Sequence, residues 1–132
     1  MSSINVSSIK NANGGQEVSQ EVSQDVLFNG TAKSWSSLDG TGTISAQDDF
    51  GIGSYTDYGP GDYGYNLSAA MANDDYSWNG NSERDSGAGF YGFGAHVHGG
   101  NPPTTTVLRM VTGYNTATVD CVTAMQVFGD LA

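Results

Sequence analysis

A single cysteine, Cys121, stands in 132 residues. One thiol closes no intrachain disulfide and builds no thiolate metal cluster. It alternates with Val119, Met125 and Val127, and no basic or histidine neighbour in sequence lowers its pKa. It therefore reads as a buried, inert thiol. Basic residues are nearly as scarce: Lys10, Lys33, Arg84 and Arg109 face 14 acidic residues, for a formal net charge of −10. Nucleic-acid binding needs a cationic footprint to neutralise phosphates, and these scattered cations supply none. The same balance repels anionic lipid. No apolar run approaches the ~20 residues that span a bilayer. No basic stretch leads into an apolar one, as a secretory signal would require. The expectation is a chain made in a cytoplasm and kept there until assembly, with no nucleic-acid partner and no membrane insertion.

Charge of either sign is also sparse, at 14% of residues against a typical ~25%. Glycine fills much of the difference, with 19 residues. Glycine costs about 1 kcal/mol per helical position relative to alanine, so this composition suits turns and polar-faced strands. Candidate strands cover residues 32–38, 42–51, 61–67, 76–79, 89–98, 104–112 and 118–128. Asp39-Gly40 and Asn79-Gly80 are hairpin signals, and Gly59-Pro60-Gly61-Asp62 is a turn or bulge. Asn101-Pro102-Pro103 breaks pairing, because proline lacks the donor a ladder needs. About seven short strands at roughly 8–12-residue spacing predict an all-β fold, a small antiparallel β-sandwich of jelly-roll-like or barrel-like form.

Two domains of unequal weight follow: residues 1–30 as an extended N-terminal arm, and 31–132 as the β-sandwich. The arm begins with a short strand carrying Ile4, Val6 and Ile9, closed at Asn13-Gly14-Gly15. A four-residue repeat, EVSQ-EVSQ-DV, then sets Val18, Val22 and Val26 on one narrow helical stripe. Such a stripe buries little, and its period of four departs from the 3.5 of a heptad. Residues 1–30 thus read as a linker or attachment arm, with trimerisation on a common axis as the alternative. In residues 104–112 and 118–128 neither face is fully polar. That pattern predicts strands covered on both sides, as at a subunit interface. Trp35, Phe50, Tyr63, Tyr65 and Phe128 are expected in the core.

The order of these pieces resembles a domain of tailed-bacteriophage tail-fibre and related virion proteins. That family pattern runs from a tryptophan into F-N-G-T-G-T, then F-N-V-S-S-I-T-D, G-x-G-D-Y-T-V-N-F and A-M-x-D-x-N-Y. Here Ala32-Lys33 and Trp35 precede Leu38-Asp39-Gly40-Thr41-Gly42-Thr43. Phe50, Thr56-Asp57, Gly59, Gly61-Asp62-Tyr63, Asn66, Ala70-Met71 and Tyr76 follow in order. Ile4-Asn5-Val6-Ser7-Ser8-Ile9 looks like the strand preceding such domains, and Val127-Phe128-Gly129-Asp130 like their closing strand. The similarity covers about 100 of the 132 residues, and residues 79–103 depart from it. The resemblance implies a non-enzymatic virion structural protein: a homotrimeric tail-fibre or adhesin-like module for host attachment, contacting other virion proteins. Capsid decoration, as a head fibre or cement protein, is the alternative.

Three further constellations carry chemistry. His96 and His98 lie at i and i+2, on one face of a strand. Two imidazoles are too few for a metal, but three chains would supply six, which resembles the H-x-H iron sites of some phage fibres. Otherwise no cofactor is expected. Asp48-Asp49 and Asp74-Asp75 could form a glycosidase pair, which needs carboxylates roughly 5–9.5 Å apart; turn-forming acids are the simpler reading. Finally, Tyr76, Trp78, Asn79, Asn81, Arg84, Phe90 and Tyr91 combine rigid aromatics with adaptable amides. That combination makes residues 76–91 the expected binding surface, with a host-surface glycan as one ligand.

Overall fold

The computed structural model describes residues 28–83, 92–95, 101–114 and 117–132. The expected arm residues Ile4, Val6, Ile9, Val18, Val22 and Val26 lie outside them. The described chain is almost wholly β: β1 (Ser34–Asp39), β2 (Ser45–Phe50), β3 (Ile52–Gly59), β4 (Asp62–Leu67), β5 (Ser77–Ser82), β6 (Gly92–Ala95), β7 (Val107–Tyr114), β8 (Ala117–Thr118) and β9 (Val122–Phe128). They form two antiparallel sheets, as the all-β sandwich reading required. The first has the order β2-β1-β9-β5 and the second β3-β4-β7-β6, with β8 added beside β7.

Local chemistry explains the turns. Asp39 Oδ1 accepts hydrogen bonds from the Thr41 backbone N–H at 2.8 Å and its hydroxyl at 2.6 Å. That Asx turn closes the β1–β2 hairpin at the Asp39-Gly40 signal. Gly59-Pro60-Gly61 makes the β3–β4 turn, with Gly61 at φ +66°. A Cβ on Gly61 would lie 2.5 Å from the Val119 nitrogen and 2.6 Å from the Thr112 oxygen. Gly51, at φ +73°, bends the chain from β2 in the first sheet into β3 in the second.

The core between the sheets is built from alternate residues. β1 contributes Ser34, Ser36 and Leu38, β9 contributes Thr123, Met125 and Val127, and β7 contributes Leu108, Met110 and Thr112. β4 supplies Tyr63 and Tyr65, both fully buried. Phenols knit the seam. Tyr65 Oη and Thr123 Oγ1 are 2.6 Å apart, joining the second sheet to the first. Tyr55 donates to Asp49 Oδ2 at 2.8 Å and meets Ser36 Oγ at 2.8 Å. Tyr63 donates to Asp120 Oδ1 at 2.8 Å, and the same oxygen accepts from the Gly61 N–H. The Tyr55 and Tyr65 rings meet edge to face, with centroids 5.6 Å apart. Cys121 is buried, and burial raises its thiol pKa.

Several expectations change. Asn79-Gly80 is no turn, because it lies mid-strand in β5, with Asn79 opposite Gln126 and Gly80 opposite Met125. β3 and the two-residue β8 were not anticipated. Within the single chain β9 is covered on one face, and Ala124 and Gln126 on its other face, where a second subunit was expected, are exposed. Most consequentially, Trp35 and Phe50 are not core residues. The core face of β1 is taken by its serines and leucine, so Trp35 is left 36% exposed and Phe50, its partner across the ladder, 56% exposed.

Candidate recognition surface

Ladder register fixes what the outer face of the first sheet presents. Phe50 pairs with Trp35, Trp35 with Gln126, and Gln126 with Asn79. One row therefore crosses all four strands, two aromatic rings at one end and two carboxamides at the other. Its length is three strand spacings, about 14 Å. Parallel to it runs Asp48–Ser37–Ala124–Asn81, set by the same pairings. On the other side Phe128, half-buried, stands opposite the exposed Ser77.

Strand alternation places these side chains outward: Trp35, Asp48, Phe50, Asn79, Asn81, Ala124 and Gln126 are all exposed. Ser37 donates to Gln47 Oε1 at 2.8 Å, which occupies both. At the hairpin end, the Thr41 hydroxyl and N–H hold the Asp39 carboxyl below its ordinary pKa. A carboxylate is thus kept ionised at that margin of the face.

The residues expected to bind separate into three groups. Tyr76 is buried and donates through its phenol to the Thr104 carbonyl at 3.0 Å. Burial, with the nearby Asp74 charge, pushes that phenol up to about 12. Trp78 packs against the core. Asn79 and Asn81 do face solvent, but as part of the sheet face, beside Gln126 and Ala124 of β9, rather than in a loop. Arg84, Phe90, Tyr91, His96 and His98 lie outside the described residues.

Trp35, Phe50 and Gln126 were the residues missed. The available signal was the alternation Ser34-Trp35-Ser36-Ser37-Leu38, whose parity puts Trp35 opposite Leu38 once Leu38 is assigned to the core.

Acid chemistry is not concentrated here. Asp48 and Asp49 are successive on β2, so they point to opposite faces, and Asp49 is engaged by Tyr55. Asp74 and Asp75 lead into β5, the opposite edge of the sheet from β2. Among the described residues, no cluster of three or more His, Cys, Asp or Glu side chains could hold a metal ion. A cavity of about 20 Å³ beside the buried Ser34, rimmed by Gly51, Leu67, Met71 and Leu131, is water-sized. What the face presents to solvent is two aromatic rings and the carboxamides of Gln126, Asn79 and Asn81. Comparison with known protein families, with curated proteins and with solved structures finds no match.

Proposed function

We propose that this chain is a non-enzymatic recognition module displayed on a tailed-phage virion, where it assembles as a homotrimer and attaches to the host surface. One observation carries the recognition part. A small domain with limited apolar content places a tryptophan and a phenylalanine side by side on its solvent face, next to exposed carboxamides. Aromatic area is the largest hydrophobic contribution a core can receive. Here it is left outside, while serines line the inner face of the same strand. Isolated exposed apolar residues are ordinary; here two aromatics are cross-strand partners on one solvent face, beside the Gln126 carboxamide, and that pairing supports the recognition reading.

The virion setting is supported by the order of motifs from Ala32 to Tyr76. The trimer rests on that resemblance too. Mass spectrometry of purified particles from the genome that encodes the chain tests the setting, followed by cryo-microscopy. Copies at the tail support attachment, and copies on the shell favour decoration of the head. Absence from the particles overturns the virion reading. Light scattering tests the trimer, and a monomeric mass overturns it.

A further inference from the structure

We infer that the outer face of the first sheet binds an uncharged glycan along the row Phe50–Trp35–Gln126–Asn79. This rests on reading the chain as a surface recognition module. A pyranose has a face of C–H bonds and a rim of hydroxyls that both donate and accept. The row offers the complement of each. Trp35 and Phe50 are direct cross-strand partners, so their Cβ atoms lie about 4.5–5.5 Å apart. Together they form one apolar platform. Each carboxamide of Gln126 and Asn79 supplies two donors and an acceptor, and both are solvent-facing. The row is about 14 Å long, which suits a short oligosaccharide rather than a single sugar.

Charge narrows the ligand further. No residue of the row is charged, Asp48 flanks it, and the chain carries −10 overall. Uronate, sialate, phosphate or sulfate groups would meet a field of their own sign. Hydroxyls would find carboxylate acceptors at the margin. A second copy of the chain fits this face less well. A stable dimer buries about 800 Å² per partner, whereas side chains of 150–250 Å² that are 36% and 56% exposed present far less aromatic surface. The remainder of such an interface would have to cover Gln126, Asn79 and Asn81, whose amides are costly to bury without partners.

The test uses the full chain and a panel of neutral hexose and N-acetylhexosamine oligosaccharides, with their uronate- and sialate-bearing counterparts. Binding is read by calorimetry and by the Trp35 indole N–H resonance. The expected result is binding to at least one neutral member, with a shift of that resonance. Affinity falls about tenfold or more in Trp35→Ala, the loss of one good contact. It falls by a smaller factor in Asn79→Ala, and it is unchanged in Tyr58→Ala on the other sheet. Denaturation midpoints confirm that each variant is folded, and Phe50→Ala replaces Trp35→Ala if the latter is not. Three results overturn the inference: no neutral member binds; binding survives both aromatic substitutions; or Trp35→Ala dissolves a dimer instead of a glycan complex. A chain present on particles that binds no neutral glycan defeats this inference alone. A chain that binds glycan but is absent from particles defeats only the virion reading.

Discussion

The two sheets of this sandwich share a core but finish their outer faces in opposite ways. On the second sheet the surface side chains satisfy one another. Arg109 forms a bidentate pair with Asp62, at 2.8 and 2.7 Å, and lies 3.8 Å from the centroid of the Tyr58 ring. Asn66 donates to Ser54 and Thr56 on the neighbouring strand. On the first sheet, Trp35 and Phe50 stand open beside Gln126, Asn79 and Asn81. The same polar and aromatic residue types stabilise the fold in one place and remain available to a partner in the other. Exposure alone does not separate the two: Tyr58 is 49% exposed, comparable to Phe50, yet its ring face is covered by a guanidinium.

This contrast sets the order of expected effects. The largest are common to both sheets, because they concern what lies beneath. Leu38→Ala under the open face and Leu108→Ala under the closed one should each cost about 3 kcal/mol in chemical denaturation, both residues being fully buried. A cost below about 1 kcal/mol at Leu38 would mean that the open sheet is not packed on the other.

Next comes the seam. Burial holds Tyr65 protonated up to about 12, and Tyr76 likewise, while Tyr55 and Tyr63 are pushed higher still. Unfolded phenols release their protons near 10. Between those values the unfolded state binds fewer protons, so stability is unaffected below about pH 10 and falls as pH rises toward about 12. Phenolate absorbance followed with and without denaturant checks this. Native titration of all tyrosines near 10 would contradict the buried seam.

Smaller again is the closed face. Arg109→Met removes a charge-assisted pair and a cation–π contact, at a cost of about 1 kcal/mol, with the loss partly screened by solvent. The smallest effect is the sharpest for the comparison. Trp35→Ala should cost less than about 1 kcal/mol, on the order of one cross-strand neighbour contact with Phe50, despite removing the largest side chain of its strand. A loss of 2 kcal/mol or more, on the order of a core truncation, would show that Trp35 serves the fold after all.

Much of the architecture was legible from turns. Asp39-Gly40 and Gly59-Pro60-Gly61 announce two hairpins because their side chains and positive-φ glycine do local work. β3 was hidden by its composition: Ile52-Gly53-Ser54-Tyr55-Thr56-Asp57 offers little apolar alternation at a sheet edge. Asn79-Gly80 misled for the converse reason. Pairing with β9 overrides a turn preference when both neighbours of the dipeptide are held in a ladder. The recognition face was harder to read. An aromatic looks the same in sequence whether it faces in or out, and only the parity of its strand decides. For β1 that parity is set by Leu38 stacking into the core with Tyr63 and Met125.

The bend at Gly51 ties these observations together. Phe50 ends one strand and Ile52 begins the next, so β2 and β3 are a single ribbon folded once across the edge of the sandwich. Along a ribbon shared by two sheets, a one-residue slip in the first is passed to the second unless a bulge absorbs it. Such a slip would exchange Phe50 for Asp49 on the open face, and it would simultaneously pull Tyr55 away from Ser36 and Tyr65. The half-buried Tyr55 hydroxyl, held by Ser36 and Asp49, thus ties the register of β3 to that of the strands whose outer face carries Trp35 and Phe50.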